Sequence, residues 1–137
     1  GGMAFISSNV GAVHAFAETV GAWFDTPHGV ANSLFLPYIM EFNIPACPER
    51  FADIADAMGI EREESMSDEQ YALKAVEYVK ALNRKLNIPT IKEIKGITEE
   101  RFEAIAERSA NNVLSNDNAR KITKEDYLEL LKKAYNE

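Results

Sequence analysis

The hydrophobic positions of this chain recur at helical spacing, most clearly after residue 48. Between Glu49 and Met58, Phe51, Ile54, Ala55 and Met58 fall at i, i+3, i+4 and i+7, and Gly59 supplies a stop. Ser67 with Gln70 spells a capping box. It opens a long helix whose apolar stripe is Ala72, Ala75, Val76, Val79, Leu82 and Leu86. Asn87-Ile88-Pro89 ends that helix, because the residue before proline is pushed out of helical geometry. Thr98, followed by Glu99 and Glu100, caps a further helix with Phe102, Ile105, Ala106 and Ser109 on one side. Thr123 starts the last, with Tyr127, Leu130, Leu131 and Ala134 inward and Lys132 and Lys133 near its negative end. Ser115-Asn116-Asp117-Asn118 reads as a loop.

Two more helices fit the earlier part. The first runs roughly from Gly2 to Trp23 and is rich in Gly, Ala and Ser, which lets neighbouring helices approach closely. The second has Thr26 at the N-cap, Pro27 at its first position, an end near Asn43 and a kink near Pro37. No run shows sustained period-2 alternation, so no strand is expected. The pattern predicts an all-α fold, a compact domain of about six or seven helices spanning residues 1–137.

Charge sharpens this picture. Residues 1–48 hold no Lys or Arg and only three acids, Glu18, Asp25 and Glu41; all 15 basic residues lie beyond. The first third should therefore be buried on most sides. Its apolar stretches are broken by His14, Glu18, Asp25, His28, Asn32 and Asn43, so burial against protein fits better than a membrane span of about 20 apolar residues. The net charge of -7 opposes a nucleic-acid-binding face. The single cysteine, Cys47, excludes an internal disulfide framework and suits a reducing cytoplasm. No basic n-region is present, so a secretory leader is not expected.

The two histidines, His14 and His28, both lie in this apolar third. A helical hairpin can bring such positions face to face, and paired imidazoles suit Fe, Zn, Cu or Ni. Two hydrogen-bonded core histidines are the other reading, since two ligands make no complete site. Glu18 follows His14 by one turn and can look into the same space, as a site residue or as a hydrogen-bonding neighbour.

Longer patterns then become recognisable. Gly11-Ala12-Val13-His14-Ala15, Gly21, Thr26-Pro27-His28-Gly29-Val30-Ala31-Asn32, Leu36-Pro37 and Phe42-Asn43 resemble the metal-binding signature of iron-containing (group III) alcohol dehydrogenases. The likeness is to the lactaldehyde reductase and butanol dehydrogenase type. It continues through Arg50-Phe51, Ala57-Met58-Gly59, Leu82-Asn83, Ile88-Pro89 and Asn118-Ala119-Arg120. The resemblance implies an all-α, dehydroquinate-synthase-like C-terminal domain, with the N-terminal NAD(P)-binding domain absent from this chain. It implies His14 and His28 as two of four ligands to a divalent metal, Fe(II) or alternatively Zn, with NAD or NADP held mainly by the missing domain. It places Glu18 where many relatives carry a proton-relaying histidine. Phe5 and Leu114 fall at substrate-pocket positions, Leu114 replacing the cysteine of lactaldehyde reductases.

The implied function is interconversion of small alcohols with aldehydes or ketones, with the isolated chain inactive. The implied partners are its own N-terminal domain and a second copy in a homo-oligomer, without nucleic acid or membrane. Loss of the other domain would leave apolar surface around Phe5, Phe16, Trp23 and Phe35. The alternative is a non-enzymatic helical interaction module, which would show no specific metal effect.

Overall fold

The computed structural model describes residues 11–112, 115, 118 and 120–136, excepting the side chain of His28. Among them are six α-helices and no strand, in agreement with the all-α expectation. They are α1 (Gly11–Phe24), α2 (His28–Asn43), α3 (Pro48–Ala57), α4 (Asp68–Lys85), α5 (Phe102–Asn111) and α6 (Lys124–Asn136). Short 3-10 turns at Ile44–Ala46, Ile91–Glu93 and Glu99–Arg101 join them. The periodicity did not reveal these turns, since one turn is too short to show a period. No described helix is long and apolar enough to cross a membrane.

The expected punctuation recurs with some corrections. Ser67 and Gln70 exchange both bonds of the capping box. Gly59 at φ +79 closes α3 in a Schellman motif, with Gly59 N–H on Asp56 O and Ile60 N–H on Ala55 O. The α4 stop is of the same kind. Asn87, at φ 58, donates to Arg84 O, and Ile88 N–H reaches Asn83 O. A left-handed asparagine ends the helix, and Pro89 only follows it. Thr26 is not the N-cap of α2; Pro27 is, and its carbonyl accepts from Ala31 N–H. The Thr26 hydroxyl turns back toward Phe24 O. Thr98 makes no side-chain cap, because a 3-10 turn precedes α5. Leu82 and Leu86 are 41% and 61% exposed, so the inward stripe of α4 stops at Val79.

Two apolar cores share α2. One gathers Phe16 and Val20 of α1, Ala31, Phe35 and Ile39 of α2, and residues of α5 and α6, with Ile91, Ile94 and Ile97 between. The other joins Met40 and Ile44 to Phe51, Ile54 and Ala55 of α3 and to Tyr71, Ala72, Ala75 and Val76 of α4. Leu36 packs against both. Phe16 and Phe35 stack at 3.9 Å between ring centroids and are fully buried. This corrects the expectation that they contribute exposed apolar surface. Trp23 does remain 38% exposed, with the Arg108 guanidinium 5.7 Å from its ring centroid.

α2 runs through Pro37, which has no N–H for the carbonyl four residues back. That carbonyl belongs to Ser33, and Asn83 of α4 donates to it at 2.7 Å. The helix therefore loses a backbone bond and gains a tie to its neighbour.

A buried polar chain joins the first and last thirds. The Ser115 hydroxyl donates to Ser109 O at 2.5 Å and lies 2.7 Å from the Tyr127 hydroxyl, which reaches Ala12 O at 3.4 Å. Ser109 donates to Thr19, whose hydroxyl donates in turn to Ala15 O. Burial pushes the Tyr127 phenol up to about 12, outweighing the opposing Ser115 hydrogen bond.

Two outcomes follow. Asn83→Ala leaves the Ser33 carbonyl without its donor and should cost about 1–3 kcal/mol in urea unfolding, whereas Leu86→Lys should change stability by less than about 0.5 kcal/mol. An equal loss in both variants would contradict the Pro37 account. The unfolded state ionises Tyr127 near 10 and the folded state near 12, so its neutral form is favoured by folding. This contribution is complete below pH 10 and is lost between pH 10 and 12. Denaturant midpoints across that range should fall less steeply in Tyr127→Phe than in the parent.

Candidate metal centre

The small residues of α1 let it lie close against α2. Ala12, Ala15, Ala17 and Val20 are buried, and the Phe16–Phe35 stack fixes the height of one helix on the other. Asp25, at φ 53, turns the chain between them. Gly96 supports the same corner. Its φ is +96, and a Cβ there would sit 3.0 Å from the Phe24 ring.

His14 stands half-buried on α1 between buried Val13 and Ala15. Glu18 lies one turn on, exposed, and accepts a 2.6 Å hydrogen bond from Asn112 Nδ2 just beyond α5. The carboxylate is thus aimed by a residue 94 positions away. His28 opens α2 as its first residue; its side chain lies outside the described residues. Phe5 and Leu114 lie outside them too. Among the described residues, no three His, Cys, Asp or Glu side chains gather around a possible metal position. On one face of α1 the described residues place an imidazole and a carboxylate one turn apart.

Two features went unseen in the sequence reading. The Asn32 Oδ1 atom is buried without a hydrogen-bond partner among the described residues, one helical turn after His28. An i, i+4 search from His28 would have singled it out. The second is a clamp between motifs that the sequence placed far apart. Asn43 and Asn118 exchange amide hydrogen bonds of 3.0 and 2.7 Å. Arg120 donates to Phe42 O at 3.0 Å, with its guanidinium 4.2 Å from the Phe42 ring centroid. Nothing local announces such a pairing across 75 residues.

Cys47 is buried, and desolvation raises its thiol pKa above the usual value, which disfavours the nucleophilic thiolate.

The Fe-containing alcohol dehydrogenase family, C-terminal, matches residues 1–135. The chain is 40% identical over 134 residues to lactaldehyde reductase of Escherichia coli (strain K12), covering 98% of this chain and 35% of that protein. It is 36% identical over 134 residues to 1,3-propanediol dehydrogenase of Citrobacter freundii, covering 98% of this chain and 34% of that protein. The solved alcohol dehydrogenase from Oenococcus oeni superposes with a TM-score of 0.86 at 41% identity, over 98% of this chain and 35% of that one. The chain thus spans about a third of the length of these relatives. A helical domain with its histidines on adjoining helices, matched over nearly its whole length, belongs to the Fe-containing alcohol dehydrogenase family.

Proposed function

We propose that this chain is the metal-binding C-terminal domain of an NAD(P)-dependent alcohol dehydrogenase, with His14 and His28 as two imidazole ligands of a divalent ion. The observation that carries this reading is the match over residues 1–135, which includes both histidines and the motif residues around them. Relatives named for lactaldehyde reduction, 1,3-propanediol oxidation and butanol oxidation point to a small alcohol or aldehyde as substrate.

The donor chemistry fits such an ion. α1 and α2 carry no Lys or Arg, so no cation of these two helices competes for the imidazoles. The Asn32 side-chain carbonyl, without a partner among the described residues and one turn from His28, is suited to accept a ring N–H and so orient a ligating histidine. Fe(II) is the ion we assign, with Zn as the substitute; the remaining ligands and the nucleotide site come from sequence outside this chain. When bound, such an ion supplies Lewis acidity toward an alcohol or carbonyl oxygen. Glu18 carries a proton to or from solvent, held by Asn112 at its free edge.

In the full-length enzyme, His14→Ala and His28→Ala should each lower bound iron or zinc and reduce alcohol turnover by more than about 100-fold. Metal analysis showing undiminished content in both variants would overturn the ligand assignment. Glu18→Gln should retain the metal while lowering turnover by about 10²-fold or more, the scale of a positioned acid–base group. The purified 137-residue chain should show no NAD(P)-linked turnover at all. An interaction module, by contrast, would respond to neither metal nor histidine replacement.

A further inference from the structure

Beside α2, on the side of α4, lies a cleft of about 260 Å3. Leu34, Pro37 and Tyr38 line it from α2, and Lys80, Asn83 and Arg84 from α4. The segment 88–91 and Ala134 complete the lining. It shares no residue with His14, Glu18 or His28, so it stands apart from the proposed metal centre.

Its charge runs against that of the chain. The protein has 22 acidic and 15 basic residues, yet among the described residues the lining holds two cations and no carboxylate. Most of the polar lining is already committed. Asn83 donates to Ser33 O, and Thr90 donates to Glu93 through both its N–H and its hydroxyl. Lys80 has a side chain only 11% exposed, 4.0 Å from Glu41 and 3.9 Å from Glu77, with its ammonium 5.0 Å from the Tyr38 ring centroid. The Arg84 guanidinium is different. It is exposed and forms no ion pair among the described residues. An arginine offers a planar fork that matches a carboxylate in two parallel bonds.

We propose that this cleft binds a short-chain organic carboxylate, its anionic end at Arg84 and its tail on Leu34, Pro37 and Ile91. The apolar lining selects an organic anion over inorganic phosphate, which would engage the cations and leave the hydrocarbon surface uncovered. The volume lies just below the roughly 300–1,000 Å3 of sites for drug-sized molecules, which favours a ligand of only a few carbons.

Hexanoate is the probe, titrated into the isotope-labelled protein while the methyl resonances of Leu34, Ile88 and Ile91 are followed by NMR. Those methyls should shift together, with a dissociation constant on the order of 1 mM for about eight non-hydrogen atoms. Arg84→Gln should weaken binding by tenfold or more, and hexanamide should bind the parent at least tenfold more weakly than hexanoate. Arg84 is exposed near the end of α4, so this replacement leaves the fold intact, which the unshifted spectrum of the free variant would verify. Absence of methyl shifts with hexanoate, or equal affinity in Arg84→Gln, overturns the proposal. Inorganic phosphate binding as tightly as hexanoate would also overturn it, by showing a simple oxyanion site with no use for the tail. None of these readouts depends on metal or on dehydrogenase turnover, so they stand or fall separately from the proposed function.

Discussion

The structure depends on covering α2. Apart from His28, Tyr38 and Glu41, this 16-residue helix carries no ionisable side chain, and it contributes buried residues to two different cores. A helix that is apolar around most of its circumference cannot rest on one neighbour. α1 and α6 cover it in one core and α4 in the other. Pro37 makes the second of these more than an apolar contact. It frees the Ser33 carbonyl, and Asn83 of α4 fills the vacancy, so the backbone defect in one helix docks the next.

The placement of His14 follows from the same arrangement. α1 is held from behind by the Phe16–Phe35 stack and from the side by Thr19 on Ser109 and by Ala12 under Tyr127. Asn112 then adds a hydrogen bond to Glu18. Three of these four partners come from residues 109–127. The last third of the chain is thus the frame on which the first third presents its histidine. Polar contacts suit this role, because hydrogen bonds fix register more tightly than interchangeable apolar contacts do.

What was legible in the sequence follows the same division between near and far. Helices and stops written by neighbouring residues, such as Ser67 with Gln70 or Gly59 after α3, stand where the local pattern put them. Leu82 and Leu86 continue a perfect helical stripe yet face outward, because a stripe shows which side of a helix is apolar and not how far its neighbour extends. The charge asymmetry correctly marked α1 and α2 as interior. It misled for Phe16 and Phe35, because an apolar segment can be satisfied by its own hairpin. The candidate site was legible only through the long motif around both histidines. The Asn43–Asn118 clamp and the Asn112–Glu18 bond join positions 75 and 94 residues apart, and no periodicity carries that information.

Electrostatics completes the argument about α2. Its one carboxylate, Glu41, sits where α4 and α6 converge, 2.7 Å from Lys133 and 4.0 Å from Lys80. A single half-exposed acid thus links three helices, α2, α4 and α6. Exposed pairs contribute only about 0–1 kcal/mol each, so the link matters more for orientation than for stability. It also divides the cations of α4. Lys80 is drawn toward Glu41 and Glu77, while Arg84, one turn on, is left facing the cleft. The scarcity of charge that lets α2 serve two cores therefore also leaves, at its edge, an arginine that pairs with no carboxylate among the described residues.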